Sequence, residues 1–489
     1  MKKSLSLAAL IMLACSNAAF AKVGDVFVLD GLQYTVLTEA EGNNTVSVQH
    51  SEDDYSLSGD INIPATVYNG NVTYSVTALP GNAFAFCDNI TAVSIPLSVN
   101  SIDETAFLYT PGTTNYTVDD NNETFCTVDG IIYSKDQKEV YRCPEQKSGA
   151  VSLPTSVTTI KVNAFRGCSK ITAVNIPDGV TLISNGAFMD CSSLTSSAIP
   201  EKTSLQLSVS QFGVCTSLSS IEVASDNASV AMIDGILCSK DGSKIVFYPC
   251  SKTGDIQIPE SVTGFLSYSF AGNPLTSITI PERVTLVEGS TFKYCNNLTG
   301  IEVDENNAAY SSKDGVLFSK TGKTLYCFPC GRTGEYVIPE NVTTLRTSCC
   351  SGAMITAIEI PETISTLPGY AFLDCKNLKK VIFKNPTPPT SAVYSNFYGT
   401  PEDMVVVVPD GSKEAYQAKM PFLSNIVEAS EASASVDVIE ADSDEKVDFT
   451  QPVEIYDMSG KMIGTQIKAV KAGVYVVKQG AKTAKVAVK

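Results

Sequence analysis

The sequence predicts a mainly β protein built as a repeat solenoid. A pattern that starts with Ala-Phe and ends with a short apolar strand and Pro recurs along most of the 489 residues. Its apolar positions alternate as they do in strands. Apolar residues make up 44% of the chain, enough for a buried core, so wholesale disorder is excluded. At about 100–200 residues per domain, the length fits two to four domains or one long array.

The first element, residues 1–21, is predicted to be a signal peptide. Lys2 and Lys3 precede an apolar stretch, and a small-x-small cleavage site ends at Ala21. The alternative is a lipoprotein signal in which Cys15 is acylated, although the residues before Cys15 fit that motif poorly. No later run of 18 or more residues is continuously apolar, so no other membrane span is predicted. We therefore expect a secreted protein or one on the outer cell surface.

Charge and composition narrow the classes of function. The chain has 35 basic and 52 acidic residues, a net charge of −17, which disfavours binding to nucleic acid. It has no Trp, and its one His is His50. Any catalytic triad, Cys-His dyad or His-based zinc site would have to use His50, which lies in a polar run that we interpret as a solvated turn. No catalytic, metal or cofactor-binding residue is therefore predicted.

The repeat follows the template A-F-x-x-C-x-x-[LI]-x-x-[VI]-x-[IV]-P-x-x-V-x-x-[IL]. Its L-x-x-V-x-I core is typical of leucine-rich repeats, whose coils bury their apolar faces by stacking. Degenerate copies begin at Phe107, Phe270 and Cys349. The phenylalanines are predicted to stack as a structural spine at Phe84, Phe165, Phe188, Phe212, Phe292 and Phe372. The Cys slot is predicted to form an interior structural ladder at Cys87, Cys168, Cys191, Cys215, Cys295 and Cys375.

We interpret the ladder cysteines as buried free thiols, because Cys in such a slot behaves as a small hydrophobic residue. Disulfides between coils and metal binding are the alternatives. Cys327-Phe-Pro-Cys330 has the spacing of a redox or metal half-site. The two other copies of the same segment have Phe247 with Cys250 and Arg142 with Glu145 at these positions, which argues against such a role.

A longer unit interrupts the array near residues 116–150, 221–255 and 301–335. Each copy has Asp-Gly, an apolar stretch, Ser-Lys and two prolines at constant spacing, which predicts a β-hairpin extension. The acidic run Asp119–Glu123 lacks EF-hand spacing and is interpreted as a solvated turn rather than a calcium site. Three hairpin aromatics are candidate binding residues, the alternative being that they attach the hairpin to its coil: Tyr133, Tyr248 and Tyr326.

Over residues 60–427 these motifs resemble the BspA-like leucine-rich-repeat family of bacterial surface proteins. The resemblance implies a solenoid with short strands on its concave face. It also implies an N-terminal cap at 22–80, repeats at 81–385 and a C-terminal cap at 386–427 that includes Val405-Val-Val-Val-Pro409. Members of the family are linked to adhesion to host matrix proteins and to other bacteria, so a protein or glycoprotein ligand is implied.

The composition changes after the repeats. Residues 428–448 hold eight acidic residues and one Lys, which predicts an acidic linker over about 428–450. Residues 451–489 are predicted to form a small β module. Their motifs, Tyr456-Asp-Met-Ser-Gly-Lys461 and Gly473-Val-Tyr475, resemble the C-terminal sorting tail of type IX secretion in Bacteroidetes. The alternative is a module that only packs or anchors.

Outward-facing strand residues are the other candidates for binding. They are small, polar or acidic, and the selected positions are Asn175, Glu222, Thr279, Glu302 and Glu359. Since protein hot spots favour Trp, Tyr and Arg, we expect repeated weak contacts there. The predicted function is a binding protein, an adhesin, with a structural envelope or matrix component as the alternative. The sequence contains no motif of an enzyme.

Overall fold

The structure is a computed structural model, and it describes residues 22–40, 42–51, 55–252, 256–432, 436–441, 453–457, 461–465, 473–479 and 482–488. The predicted signal peptide and Cys15 lie outside the described residues. The chain is mainly β and winds through about 15 solenoid turns, so the predicted fold class is confirmed. It divides into two compact units. The first contains the described residues up to Gln206 and Ser220–Ser229, and the second contains Leu207–Ser219 and the described residues from Val230 onward.

The strands of the first unit alternate between longer and very short segments. In chain order they are β1 (Val26–Leu29), β2 (Leu32–Thr38), β3 (Thr45–His50), β4 (Ser58–Asn62), β5 (Thr66–Asn69), β6 (Val72–Leu79), β7 (Asn89–Ile95), β8 (Ser101–Ile102), β9 (Asn115–Val118), β10 (Phe125–Val128), β11 (Ile131–Ser134), β12 (Glu139–Arg142), β13 (Ser148–Ser152), β14 (Thr159–Ile160), β15 (Lys170–Asn175), β16 (Leu182–Ile183), β17 (Ser196–Ile199), β18 (Ser204–Leu205) and β19 (Ser220–Val223).

The second unit continues the same alternation and adds two helices. Its strands are β20 (Val230–Ile233), β21 (Ile236–Ser239), β22 (Lys244–Phe247), β23 (Gly264–Phe265), β24 (Ser277–Ile280), β25 (Leu286–Val287), β26 (Gly300–Val303), β27 (Tyr310–Lys313), β28 (Val316–Ser319), β29 (Thr324–Cys327), β30 (Gly334–Val337), β31 (Thr344–Leu345), β32 (Ile355–Ile360), β33 (Lys380–Phe383), β34 (Val405–Val408), β35 (Ile426–Glu428), β36 (Val436–Ala441), β37 (Glu454–Tyr456), β38 (Met462–Gly464), β39 (Gly473–Gln479) and β40 (Lys482–Val488). The helices are α1 (Lys413–Lys419) and α2 (Ala429–Ala432), and a 3-10 turn spans Tyr394–Asn396.

Each coil contributes to two parallel sheets. The longer strands, which carry the L-x-x-V-x-I part of the template, form the sheets β4-β7-β9, β13-β15-β17-β19, β24-β26 and β30-β32-β33-β34-β35. The two-residue strands carry the final V-x-x-[IL] part and stack in the same direction, as in β12-β14-β16-β18. The template marks these final positions as apolar, but it did not predict that they form a second sheet.

The extensions are more than hairpins. In the first, β10 and β11 pair antiparallel, β11 pairs antiparallel with β12, and β12 then pairs in parallel with β14. The other two copies repeat this arrangement with β20-β21-β22-β23 and β27-β28-β29-β31. Each extension is therefore a three-stranded meander whose last strand belongs to the short-strand sheet. This pairing fixes the extension to the wall of the solenoid.

The Ala-Phe-x-x-Cys segment forms a tight turn between the two sheets. The Cys amide donates to the carbonyl of the Phe three residues earlier, for example from Cys168 to Phe165 at 3.1 Å. The residue before the Cys slot adopts a left-handed conformation, with φ of 62° at Phe86 and 63° at Val214. The degenerate copy predicted at Cys349 is shifted by one residue. Cys350 takes the Phe slot, because its amide bonds to the Ala371 carbonyl as the other Phe-slot amides do to the next coil.

The ends of the array differ from the coils. Strands before residue 80 form the mixed sheet β1-β2-β3-β6-β5, and the end of β6 pairs in parallel with the two-residue strand β8. Near the other end, β34 and β35 extend the long-strand sheet around α1. The C-terminal strands form the sheet β36-β40-β39-β37-β38. Strand β36 lies inside the predicted acidic linker at 428–450 and pairs with β40.

Candidate functional site

The outward-facing side chains of the longer strands form the first candidate site, which we call the long-strand face. Parallel pairing in register places the same slot of successive coils side by side, about 4.8 Å apart. In the first unit Ser152 lies opposite Asn175, and Ala198 lies opposite Glu222. In the second unit Thr279 lies opposite Glu302. The repeat therefore produces a row of outward side chains on each sheet.

In the first unit this row is polar and mostly uncharged. The Asn175 amide donates to the Ser152 hydroxyl at 2.9 Å, and Thr117 donates to Ser94 at 3.0 Å. Asn175 and Glu222 are both exposed. These hydrogen bonds between coils hold the short polar side chains in place, so the row presents ordered donors and acceptors to solvent.

In the second unit the row carries more charge. Thr279 and Glu302 are exposed, and Glu302 accepts a hydrogen bond from Ser312 at 3.1 Å. Glu359 is half-buried and forms an ion pair with Lys384 at 3.2 Å. The structure thus places all five predicted residues of this class on long-strand sheets. It brings Thr279 and Glu302 together as direct neighbours, whereas Glu359 belongs to a different sheet.

Two of the three hairpin aromatics are buried, as the alternative of attachment to the coil implies. Tyr133 is 1% exposed and Tyr248 is 4% exposed, so neither presents a binding surface. Tyr133 lies in the central strand of its meander, where both faces are covered. Tyr248 stacks on Phe270 with ring centroids 4.9 Å apart and extends the spine. Tyr326 is half-buried beneath the Arg346 guanidinium, which lies 5.3 Å from its ring centroid.

Burial determines the protonation of the interior thiols. The six ladder cysteines are at most 1% exposed, and all fourteen cysteines in the described residues are free thiols. Burial raises the pKa of Cys295 well above its usual range and that of Cys250 to about 12. Burial likewise raises the pKa of Cys330 to about 11, and Cys327 beside it is shifted the same way. These four thiols, at Cys250, Cys295, Cys327 and Cys330, are therefore protonated and poorly nucleophilic.

His50 is not on a solvated turn as expected. It ends strand β3 and is 8% exposed, with its ring 4.7 Å from the ring of Tyr55. Its Nδ1 lies 2.6 Å from the Ser51 carbonyl oxygen. Its backbone amide bonds to the Ala83 carbonyl, the same contact that Phe-slot residues make with the next coil. His50 therefore packs as a member of the coil. Within the described residues, no group of three or more His, Cys, Asp and Glu side chains is placed to hold a metal ion.

A buried asparagine in each extension was missed by the sequence reasoning. In the third extension the Asn307 amide donates to the carbonyls of Pro281 and Val284 at 2.8 Å each. Its side-chain oxygen accepts from the amides of Ala309 and Tyr310 at 2.9 and 2.8 Å. Asn122 and Asn227 make the corresponding contacts with the coil before them. Their constant position, four residues after the extension's first Val, is the signal that would have revealed them.

This asparagine also explains the acidic run in the first extension. Asp119 Oδ1 accepts from the Asn121 amide at 2.9 Å, and Asn122 bonds to the coil beneath it. Asp304 makes the same turn with Asn306. The acidic and amide side chains of this run therefore order a turn, and the buried residue of the turn is the asparagine.

Comparison with known families identifies the repeat. The model of the BspA type leucine rich repeat region matches six copies, over residues 65–128, 138–234, 243–323 and 325–402. These segments make up more than half of the chain. The chain belongs to the BspA type leucine-rich-repeat family. No curated protein gave a match.

Several solved structures are similar to this BspA type chain. The pneumococcal vaccine antigen PcpA is 20% identical over 83% of this chain and 99% of its own, with a TM-score of 0.36. A leucine rich cell surface protein from Faecalibacterium prausnitzii is 22% identical over 83% and 95%, with a TM-score of 0.31. A leucine-rich repeat protein from Bacteroides ovatus is 20% identical over 82% and 99%, with a TM-score of 0.30. At these values the family assignment rests on the repeats.

The described residues include no helix that is long and apolar enough to cross a membrane. The family assignment establishes a scaffold that is generally used for binding or structural roles. It leaves the ligand to be inferred from the surface of this chain.

Proposed function

We propose that this BspA type protein is exported and acts as a secreted or cell-surface adhesin. Its ligand is a protein or glycoprotein of a host matrix or of another cell, bound on the long-strand face. The observation that carries the proposal is the parallel register, which repeats outward polar side chains from coil to coil. A repeated row of this kind suits an extended ligand, because many weak contacts add along its length.

The composition of the face supports repeated weak contacts over one tight hot spot. Asn175 and Glu222 are short or acidic side chains, unlike the Trp, Tyr and Arg that dominate hot spots. The same feature favours the second candidate function, a structural component of an envelope or matrix with no dedicated ligand.

We further propose that the C-terminal β module directs sorting by a type IX pathway. This proposal rests on the motifs at residues 456–461 and 473–475.

Binding to immobilised protein distinguishes the two functions. Residues 22–489 are immobilised and titrated with purified matrix glycoproteins at low and high salt. Saturable binding that survives high salt is the result expected of an adhesin. Binding that never saturates, or that disappears with salt as expected for exposed charge contacts, would favour the structural role.

Substitutions on one sheet test where the ligand lies. The double variant Asn175→Lys with Glu222→Lys adds two long side chains to the row in the first unit. We expect it to weaken binding about tenfold or more, as removal of an interface contact does. Glu201→Lys is the matched control, because Glu201 is an exposed acidic residue in a turn outside the face. Equal affinities for the double variant and the wild type would refute the placement of the ligand on this face.

A further inference from the structure

A cleft opens in the first unit where the short-strand sheet is interrupted. It has a volume of about 430 Å³, within the range of small-ligand sites. One wall is β8 with the residues around it, and the other is formed by the first extension. Asn100 and Ile102 lie on the first wall, and Thr124, Phe125 and Tyr141 lie on the second.

The same interruption recurs at the other two extensions, where a hydroxyl group bridges it. At the third extension Val287, in β25, donates its amide to the Tyr310 hydroxyl at 2.7 Å. The same hydroxyl lies 3.3 Å from the Thr285 carbonyl oxygen, to which it donates. At the second extension Leu205, in β18, donates its amide to the Ser229 hydroxyl at 3.1 Å. At the second and third extensions, a side-chain hydroxyl therefore accepts a hydrogen bond from a short-strand amide that has no neighbouring strand to pair with.

The first extension has the same walls without this hydroxyl. Phe125 takes the position of Tyr310, since both open their meander opposite a serine. The ring pairs are also alike. Phe125 and Tyr141 have centroids 5.0 Å apart at 84°, and Tyr310 and Tyr326 have centroids 5.1 Å apart at 84°.

In the first extension, the backbone donor and acceptor that correspond to those bound by Tyr310 have no side-chain hydroxyl beside them. Strand β8 pairs with β6 in the same way that β25 pairs with β23, so Ile102 corresponds to Val287 and Asn100 to Thr285. Among the described residues, no side-chain hydroxyl reaches the Ile102 amide, and Thr124 at the Ser229 position makes no such bond. The Ile102 N–H and the Asn100 C=O therefore form a donor and acceptor pair of the type that a hydroxyl satisfies in the other two copies.

The rim of the cleft also suits hydroxyl groups. Asp103 and Glu104 place carboxylates on one wall, and Lys161 places an ammonium on the other. A ligand with a single charge would meet repulsion from one wall. A neutral ligand with several hydroxyls both donates to the carboxylates and backbone carbonyl and accepts from the amide and ammonium groups. Tyr141 is half-buried on the lining and offers an apolar ring on which a sugar ring packs, whereas Phe107 and Phe125 also line the cleft but are each 2% exposed.

We propose that this cleft binds a neutral saccharide, with one sugar hydroxyl held between the Ile102 N–H and the Asn100 C=O. The inference goes beyond the proposed function, because that function places its ligand on the long-strand face. The cleft lies at a sheet interruption, so the two sites are separable by mutation.

The decisive variant is Phe125→Tyr, which adds the hydroxyl that Tyr310 supplies in the third extension. Residues 22–489 are titrated by calorimetry with cellohexaose, laminarihexaose, chitohexaose and mannohexaose. We expect at least one of them to bind saturably to the wild type and Phe125→Tyr to weaken that binding about tenfold or more. Phe86→Tyr is the matched control, because it adds a hydroxyl outside the cleft on a ring stacked against Tyr109. It should leave the affinity unchanged.

Lys161→Gln is a second variant at the rim and is expected to weaken binding without closing the cleft. The saccharide proposal is overturned if none of the four oligosaccharides binds, or if Phe125→Tyr and Phe86→Tyr bind alike. It is also overturned if only an extended Ser-Thr-Val-Ser-Thr-Val peptide binds in a manner that Phe125→Tyr abolishes, since that result assigns the strand edge to a peptide. Loss of matrix binding in the long-strand-face variant, with no oligosaccharide binding, would leave the proposed function intact and reject only the cleft.

Discussion

A buried ion pair in the first extension leads to a testable prediction about stability. The Arg142 guanidinium and the Glu145 carboxylate are 2.6 Å apart, and their side chains are 4% and 7% exposed. The same two slots hold Phe247 and Cys250 in the second extension. Exchanging the pair for these residues, as Arg142→Phe with Glu145→Cys, replaces the charges with side chains that the fold already accommodates in another coil.

The structure gives the magnitudes. At an effective dielectric constant of about 20, two charges 2.6 Å apart attract by about 6 kcal/mol. Removal of the two ions from water costs several kcal/mol each, so the net contribution of the pair is close to zero. We expect the double variant to lie within about 2 kcal/mol of the wild type. Each single variant leaves one ion buried without its partner and should cost about 3–5 kcal/mol.

Hydrogen exchange measured by mass spectrometry is the appropriate assay, because repeat arrays open segment by segment. The readout is the protection of Glu139–Arg142 and Lys170–Asn175. The single variants should exchange about a hundredfold to several thousandfold faster there, and the double variant should stay within about thirtyfold of the wild type. If the double variant loses as much as the two single variants together, the charges are not a coupled pair and the reasoning is refuted.

The pair also predicts a pH dependence. Burial raises the pKa of Glu145, against the opposing effect of the Arg142 guanidinium. The native state therefore holds a proton over a pH range in which unfolded Glu145 has lost it, so this contribution to stability falls as the pH rises through that range. The hydrogen-exchange protection of the wild type, relative to that of the double variant, should therefore decrease as the pH rises through this range. An unchanged or increasing difference would contradict the raised pKa.

Three further substitutions test the packing of the coils. Phe188→Ala removes a fully buried ring that stacks on Phe165 at 5.2 Å, and denaturant unfolding should show a loss of about 3–5 kcal/mol. A loss below about 1 kcal/mol would mean that the coil collapses around the cavity. Asn307→Ala removes four hydrogen bonds of a fully buried side chain, and the free energy of unfolding should fall by about 3 kcal/mol or more. The control Asn306→Ala, at an exposed turn position, should change the free energy of unfolding little. Val214→Gly relieves a φ of 63° in a β-branched residue and should stabilise by up to about 1 kcal/mol, so a measurable loss would show that packing outweighs strain there.

The sequence was most informative where one coil repeats the next. Phe84, Cys87 and Ile90 have counterparts in many copies, and the recurrence marks each slot as interior without any three-dimensional information. The register of the copy at Cys349 and Cys350 could not be set in this way. Two adjacent cysteines fit the Phe slot equally well by residue type, and only the backbone hydrogen bond from Cys350 to Ala371 decides between them.

The burial of the hairpin aromatics could not be predicted, because it depends on which strands the extension packs and pairs with, and the local sequence does not show this. A two-stranded hairpin would expose one face, and Tyr133 would then have been free to bind. In the structure Tyr133 is 1% exposed, and residues on both faces of β11 are buried, so its side chain faces the interior of the protein. The cleft at Phe125 could not be predicted from the sequence either. The missing hydroxyl is recognised only when the three extensions are compared in the structure. The outward row on the long-strand face could be predicted, because strand alternation alone places Asn175 and Glu222 there.

The ladder cysteines now have a physical explanation beyond their size. At several ladder positions the thiol donates to the carbonyl of the Phe-slot residue in the coil before it, from Cys191 to Phe165 and from Cys295 to Phe270 at 3.1 Å each. Cys375 bonds in the same way to Cys350 at 3.0 Å. A thiol is small enough for the interior and still donates a weak second hydrogen bond to a carbonyl that also accepts the amide of the tight turn. The bond requires the protonated form, and at Cys295 and Cys375 burial raises the pKa of the thiol and keeps it protonated. The proposed export of the chain into oxidising surroundings is compatible with free thiols for the same reason, because a buried, protonated sulfur is a poor nucleophile for disulfide exchange.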